Sequence, residues 1–374
     1  MRKRYLFAAM AAAMFAFSSC EGFLDRKPDT LLTQDQTFGD PVLVKSVLAN
    51  FYGRITFGQR IDNGDEWAML DEVITYDNND SEFNVDRNKW RPYDYTLVHD
   101  LNQFLQGIQD SKAVDEETKI AYIGEVRYIR AWLYFCMGRG LGGVPIVGDQ
   151  IFNYTPGMDI TTLQVPRSTE EELYDYVISE CREAAKLLTK STNKNSARAN
   201  YWVAKALEAR AAITAASLAT YNTTAAHPQL RTTGGEVGIP ASRAKDYYET
   251  ALAASKDIIE NGPYKLMKAS DNTPKAYADN FYKAVCQKDG NTEVIWCRDY
   301  VSPGQTHGFT TNNLPKSIEQ DTGSDRLSVL LNLVEAFEPI NATEDQKGTS
   351  VPFEVGTPSN PKFFENTTDL FMER

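Results

Sequence analysis

The chain has 374 residues and a formal net charge of −12 at pH 7, from 51 acidic and 39 basic side chains. This length is enough for a large buried core, in one domain or in two closely joined ones. The acidic balance argues against nucleic acid as a partner, because a polyanion is repelled by a negative surface, and it suits a neutral sugar or a peptide better.

The first residues, 1–19, resemble the signal peptide of a bacterial lipoprotein. A positive stretch over 2–4 precedes an apolar run over 5–17, which is shorter than the roughly 20 residues of a membrane-spanning helix. Two serines then precede Cys20, as in the lipobox whose cysteine is acylated. We therefore predict lipidation at Cys20 and a tether over 20–39. The alternative is simple secretion with an incidental cysteine.

The remaining cysteines are Cys136, Cys181, Cys286 and Cys297. They form no CxxC pair and no Cys/His ligand spacing, so the sequence gives no support for a zinc site. Cys286 and Cys297 could pair in an oxidising compartment, but isolated thiols are the commoner explanation.

Helical periodicity dominates the chain over 40–262. Asp40 with Pro41 predicts the start of the first helix, and Ser168 with Glu171 forms a candidate capping box for a later one. The glycine-rich stretch Gly140–Pro145 predicts a helix stop. The predicted helical stretches begin at Asp40, Leu97, Asp115, Ser168, Ala197 and Ser242, and the last ends before Gly262-Pro263.

The third predicted helix carries Ile120, Ile123 and an aromatic cluster at Trp132, Tyr134 and Phe135, which we interpret as core. The fifth, Ala197 to Ala219, is rich in alanine, and small residues allow neighbouring helices to approach closely. The sequence therefore predicts a mainly α fold of stacked helical hairpins, similar to tetratricopeptide repeats, although no strict 34-residue repeat is visible.

The chain over 263–374 has the composition of a loop-rich subdomain. Glu293–Trp296 is a strand candidate, and Leu327–Phe337 is predicted as a brief helix. The tail beyond Pro339 is rich in Pro, Asn and Thr.

Several short motifs occur in a fixed order along the chain. They are Cys20 with Phe23-Leu24-Asp25 and Pro28, Trp90 ahead of Tyr95, Val98 and Asn102, Gly124–Phe135 followed by Gly142–Pro145, Val165–Arg167, Gly262–Tyr264 and Asn291–Ile295. The most specific is the helix Gly124–Phe135 with its exit turn. In this order the motifs resemble the SusD/RagB family of nutrient-uptake outer-membrane lipoproteins.

The resemblance implies a surface lipoprotein that sits over a TonB-dependent, SusC-like β-barrel in the outer membrane. Such a protein holds an oligosaccharide on an aromatic platform and releases it into the barrel, without a catalytic role and without a cofactor. The stretch Phe363 to Arg374 resembles the approach to a motif that lies well inside these proteins. We therefore expect the chain to be truncated at its C-terminus and the loop-rich subdomain to be incomplete.

Candidate ligand-binding residues lie in two stretches that offer aromatic faces and polar groups for sugar hydroxyls. The first stretch, 58–95, supplies Trp67, Tyr76, Asp77, Asn79, Arg87, Trp90 and Tyr93. The second supplies Tyr300 and His307. For Trp90 and Tyr95, packing against the helices is the alternative, and Trp296 is interpreted as core. The cluster 77–80 could hold calcium but lacks the EF-hand spacing, so no metal is predicted.

No GxSxG or HExxH motif is present, and His99, His227 and His307 belong to no recognisable catalytic pattern. Three hypotheses remain open. The first is a glycan-binding lipoprotein that serves a transporter, and the second is a tetratricopeptide-like envelope adaptor that binds protein or peptide. The third is a lipid-anchored glycoside hydrolase, for which carboxylate pairs are available in any acidic chain.

Overall fold

The computed structural model describes residues 33–55, 73–75, 92–190, 196–221, 231–304, 306–308, 327–330 and 333. The described helices are α1 (Gln34–Phe38), α2 (Pro41–Arg54), α3 (Tyr95–Asp110), α4 (Glu116–Leu141), α5 (Glu170–Leu187), α6 (Tyr201–Tyr221), α7 (Ala244–Asn261) and α8 (Pro274–Cys286). Two 3-10 turns cover Ile160–Leu163 and Ala241–Arg243, and two strands are β1 (Val73–Thr75) and β2 (Leu327–Val329).

Side-chain caps explain where most of these helices begin. Asp40 accepts a hydrogen bond from the Val42 amide at the start of α2, as predicted. The capping box of α5 is formed by Thr169 and Glu172, one residue later than the predicted pair Ser168 and Glu171. Ser242 lies in a 3-10 turn and gives no side-chain cap to α7, which starts at Ala244.

The helices pack on one another in chain order. α3 contacts α4, α4 contacts α5, α5 contacts α6, and α6 contacts α7. The buried positions of α6 include six alanines, which are Ala204, Ala211, Ala212, Ala215, Ala216 and Ala219. Since alanine adds little bulk, α5 and α7 can both lie close to α6. The predicted mainly α fold of stacked helices is confirmed.

The longest helix, α4, supplies the aromatic centre of the core. Trp132, Tyr134 and Phe135 are all buried, so their interpretation as core is confirmed. At the start of the same helix the prediction for Ile120 is wrong: Ile120 is exposed and its neighbour Lys119 is buried, with its ammonium group 2.7 Å from Glu116.

Glycine ends α4 and lets two chain segments approach closely. Gly142 caps the helix with φ of 73°, and the amide of Gly143 donates to the Glu236 carbonyl at 2.6 Å. A Cβ at Gly143 would lie 2.0 Å from the Ser168 carbonyl oxygen. The helix stop predicted at Gly140–Pro145 is therefore confirmed, and its glycines are required by packing.

Beyond α7 the structure corrects three predictions. α8 lies in a stretch that was predicted to be loop, and its N-cap is Thr273. Glu293–Trp296 is not a strand, since only Trp296 forms an isolated parallel bridge, to Ser196. Leu327–Val329 is a strand rather than part of a helix, and it pairs antiparallel with Val73–Thr75.

The division of the chain at residue 262 stays a prediction. Residues 1–19 and the lipidation site Cys20 lie outside the described residues. Within the described segments, no helix combines the length and the apolar character that crossing a bilayer requires.

Candidate functional site

The loop that carries Tyr300 and His307 starts at the C-terminal end of α8. Asn291 is buried there, and its side-chain amide donates to backbone carbonyls of that helix end, with 2.8 Å to Ala284. Its Oδ1 accepts from the backbone amides of Glu293 at 2.9 Å and Val294 at 3.2 Å. One side chain therefore fixes how the loop leaves the helix.

Trp296 attaches the same loop to the helical core. Its ring meets Trp132 at a centroid distance of 5.0 Å and Tyr128 at 5.3 Å, both edge-on. Its indole Nε1 donates to the Ala197 carbonyl at 3.3 Å, and the next amide, that of Cys297, donates to Ser196 at 3.0 Å. Trp296 thus packs as predicted, and the residues after it are held against the bundle.

The structure brings Tyr300 and His307 together. Their ring centroids lie 4.8 Å apart at an interplanar angle of 88°, an edge-on geometry that aromatic pairs favour. The guanidinium carbon of Arg298 lies 5.6 Å from the centroid of Tyr300. Tyr300 is half-buried and His307 is exposed. We name Arg298, Tyr300 and His307 the loop cluster.

The loop cluster has the groups that recognition of a sugar requires. The aromatic rings offer flat apolar surface to C–H groups, and the phenol, imidazole and guanidinium offer hydrogen bonds to hydroxyls. Arg298 was not among the predicted site residues. The signal available in the sequence was its position two residues before Tyr300, which alternation in an extended segment places on the same side.

Tyr93 lies in a different setting, just before α3. Its exposed ring is 4.8 Å from that of Tyr95, at an angle of 57°. Tyr95 is half-buried, meets Tyr134 edge-on at 6.3 Å, and donates a hydrogen bond to the Pro145 carbonyl. Burial is the main cause that raises the pKa of the Tyr95 hydroxyl far above its usual value. Tyr95 is therefore a packing residue, while Tyr93 keeps an accessible face.

The other predicted ligand-binding residues cannot be placed in this way. Trp67, Tyr76, Asp77, Asn79, Arg87 and Trp90 lie outside the described residues. The predictions for them stay predictions.

A buried network of charged side chains links α4, which contains the motif Gly124–Phe135, to its neighbours. This network was not predicted from the sequence. Arg130 is fully buried and donates to Glu180 at 2.7 and 3.0 Å, to Asn102 at 2.7 Å and to Asp149 at 2.6 Å. Arg127 donates to the second oxygen of Glu180 at 2.8 Å. The available signal was a pair of arginines three residues apart, which places them on the same side of the helix, next to the apolar run 131–137.

The four described cysteines are thiols. Cys286 and Cys297 do not form a disulfide with each other, and Cys286 is exposed. Burial raises the pKa of Cys136 to about 11 and also raises that of Cys181, so neither thiol is activated as a nucleophile. Among the described residues, no group of His, Cys, Asp or Glu has an arrangement that could hold a metal ion.

Comparison with known families gives one match to a family model. The SusD-like family, described as starch-binding and associating with the outer membrane, matches residues 22–213. This range includes the motif helix and its exit turn, and it ends within α6.

Curated relatives are similar over a large part of the chain. A SusD-like protein, P25, of Formosa agariphila is 23% identical over 311 residues, which cover 77% of this chain and 50% of the relative. A SusD-like protein of Bacteroides ovatus is 24% identical over 225 residues, covering 56% of this chain and 39% of the relative. The chain thus spans about half the length of the curated relatives it matches, or less.

Solved structures are similar in fold. A SusD-like protein of Bacteroides fragilis superposes with a TM-score of 0.58 at 22% identity, over 81% of this chain and 54% of that one. A SusD-like carbohydrate-binding protein of the same species gives a TM-score of 0.56 at 17% identity, over 86% of this chain and 56% of that one. At these identities the likeness establishes the fold alone.

Proposed function

The chain belongs to the SusD-like family of starch-binding proteins that associate with the outer membrane, and from this premise we propose that it is a lipid-anchored cell-surface protein that binds an oligosaccharide. We further propose that it delivers the oligosaccharide to a TonB-dependent, SusC-like transporter. It acts by binding, without a catalytic step of its own.

The observation that carries the proposal is the loop cluster in a chain of this family. Its two rings meet at 4.8 Å with a guanidinium beside them. This combination serves a neutral, hydroxyl-rich ligand, since it offers apolar surface and hydrogen bonds together. The net charge of −12 also favours a neutral ligand over a polyanion.

Rigid support of the loop favours binding as well. Asn291 fixes the loop to the end of α8, and Trp296 fixes it to α4. Since these contacts order the backbone before any ligand arrives, less conformational entropy is lost on binding. A loop held at both these points is suited to present Arg298 and Tyr300 in one geometry.

The anchor rests on the N-terminal sequence. Cys20 follows a positive, apolar and small-residue leader in the order of a lipoprotein signal. Acylation of one cysteine with more than one chain gives stable membrane attachment. Incorporation of radiolabelled palmitate by the parent chain and its loss in Cys20→Ala is the expected result. Equal labelling of both would overturn the anchor.

The ligand is tested by calorimetric titration of the chain with a panel of oligosaccharides. We expect one glycan class to bind, and Tyr300→Ala to raise its dissociation constant about tenfold, because losing an aromatic platform costs on the order of 1.5 kcal/mol. His307→Ala should also raise the dissociation constant of the same glycan.

Tyr154→Ala is the matched control, since Tyr154 is an exposed tyrosine outside the loop cluster. It should leave the affinity unchanged. If the whole panel fails to bind while a peptide is captured tightly, the envelope adaptor is the better account. Release of sugar products by the parent chain would instead identify a glycoside hydrolase.

A further inference from the structure

A groove lies between α1, α2 and α3, and each of these helices contributes an aromatic ring to it. Phe38, Phe51 and Phe104 line the groove, and the centroids of the first two rings each lie 5.6 Å from that of Phe104, edge-on. The groove has a volume of about 260 Å³. This is less than the roughly 300–1,000 Å³ of sites for drug-sized ligands, so it suits a ligand of about one ring. We name it the α1 groove.

Uncommitted amide groups surround these rings. Gln34, Asn50 and Gln103 line the α1 groove, again one from each helix. With respect to the residues that the structure describes, none of these three side chains forms a hydrogen bond within the protein. An amide can both donate and accept a hydrogen bond, as a sugar hydroxyl can. The α1 groove therefore has hydrogen-bonding capacity that the fold itself does not use.

One ion pair lies in the wall of the groove. Nη1 of Arg54 is 2.6 Å from Oδ2 of Asp100, and about a third of each side chain is exposed. Among the described residues that line the α1 groove, these two are the only charged ones, so their charges cancel. The remaining N–H groups of the guanidinium and the second carboxylate oxygen can bond neighbouring hydroxyls. The groove therefore favours a neutral, hydroxyl-rich ligand over an ion.

A second cavity continues on the other side of Phe38. Its volume is about 350 Å³, and it shares Phe38 and Gln34 with the α1 groove. Gln106 and Lys112 add polar groups to its lining. The ring between the two cavities is fixed, because it packs so closely on α3 that a Cβ at Gly107 would lie 2.0 Å from it. Two polar-lined spaces thus flank one fixed aromatic ring.

We propose that the α1 groove and this adjoining cavity form a second saccharide-binding site, which holds a neutral disaccharide across Phe38. The mixture of aromatic rings, amides and an ion pair is what the C–H faces and hydroxyls of a sugar require. The class of ligand rests on the proposed function, but the site is separate from the loop cluster. Its walls belong to α1, α2 and α3, whereas the loop cluster follows α8.

The test uses the full chain with the loop cluster disabled by Tyr300→Ala and His307→Ala together. Saturation-transfer NMR titrations with neutral disaccharides of glucose, galactose, mannose and xylose should show that one of them still binds. In this background, Gln103→Ala and Asn50→Ala should each raise its dissociation constant about fivefold, because each removes one hydrogen bond. Alanine has a higher helix propensity than glutamine or asparagine, so both variants should fold.

Gln109→Ala is the matched control for Gln103→Ala. Gln109 is an exposed glutamine on the same helix α3, and it lines neither cavity. Its replacement should leave the dissociation constant of the disaccharide unchanged. Equal effects of Gln103→Ala and Gln109→Ala would overturn the proposal, because the disaccharide would then bind elsewhere on the chain.

The remaining outcomes separate this inference from the proposed function. If the parent chain binds a disaccharide and the chain with the disabled loop cluster does not, the second site is refuted and the proposed function stands. If the parent chain binds neither these disaccharides nor any longer oligosaccharide, both are refuted. Binding of a dipeptide that Gln103→Ala weakens, without binding of any disaccharide, would also overturn the second saccharide site and would favour the envelope adaptor.

Discussion

Replacing Glu180 by glutamine should destabilise the protein far more than the same change three residues later. Glu180 is 8% exposed in its side chain and accepts hydrogen bonds from Arg130 at 2.7 and 3.0 Å and from Arg127 at 2.8 Å. Arg130 is 1% exposed in its side chain, so it has no access to water that could replace the lost charge. The variant leaves a buried guanidinium with one charged partner, Asp149.

Removing one member of a buried ion pair costs about 3–5 kcal/mol. Asp149 still lies 2.6 Å from Arg130 and is itself 65% exposed, so we expect the lower end, about 3 kcal/mol. At about 2 °C per kcal/mol for a chain of this size, the melting temperature should fall by about 6 °C.

The assay is denaturant or thermal unfolding of Glu180→Gln beside Glu183→Gln. Glu183 lies on the same helix, pairs with Lys186, and is 47% exposed in its side chain. Its loss should change the free energy of unfolding by less than about 0.5 kcal/mol. Two variants of equal stability would refute the argument that the buried network, rather than charge on α5 in general, stabilises the fold.

Three further outcomes follow from packing and burial. Gly107→Ala should cost about 1–3 kcal/mol of unfolding free energy, because its Cβ would lie 2.0 Å from the Phe38 ring, and a parent-like melting temperature would contradict this. Trp296→Ala should cost about 2 kcal/mol and weaken glycan binding; unchanged calorimetric affinity would show that the loop does not need this anchor. Burial raises the pKa of Glu170 above 4.5, so the folded state holds its proton more tightly and stability falls as pH rises through the raised pKa. Relative to Glu170→Gln, the parent should therefore lose unfolding free energy as the pH rises above 4.5, and parallel pH profiles of the two proteins would contradict this prediction.

Local sequence signals were sufficient for much of the helical core. Asp40 and Asp115 were predicted near helix starts and are N-caps in the structure. The end of α4 at glycine and the burial of its aromatic cluster also followed from pattern alone. These features depend on neighbours within a few residues, which is why a single sequence reveals them.

The capping box of α5 was predicted one residue too early, and it shows what local sequence signals cannot determine. Ser168 and Thr169 are both good caps, and each has a glutamate three residues later. The choice is made by a distant contact, since the Ser168 amide donates to the Val144 carbonyl at 3.2 Å and its own carbonyl lies against Gly143. This backbone contact fixes Ser168 outside the helix and leaves Thr169 to cap it.

The errors beyond residue 262 have a similar cause. β2 pairs with a strand that lies about 250 residues earlier, so no local pattern could identify it. α8 was missed although local signals were available, since Thr273 and Pro274 mark a helix start and Tyr277, Phe281 and Val285 recur every four residues. Of the predicted binding residues, Tyr300 and His307 are brought together, but the contact with Arg298 required the folded loop.

Growth of the host on a panel of polysaccharides tests the central claim most directly. Deleting the gene for this chain should abolish growth on one polysaccharide and leave growth on other carbon sources intact. The parent gene should restore growth on that polysaccharide, and Cys20→Ala and Tyr300→Ala should each restore it poorly. Unchanged growth of the deletion strain on every polysaccharide would contradict the account.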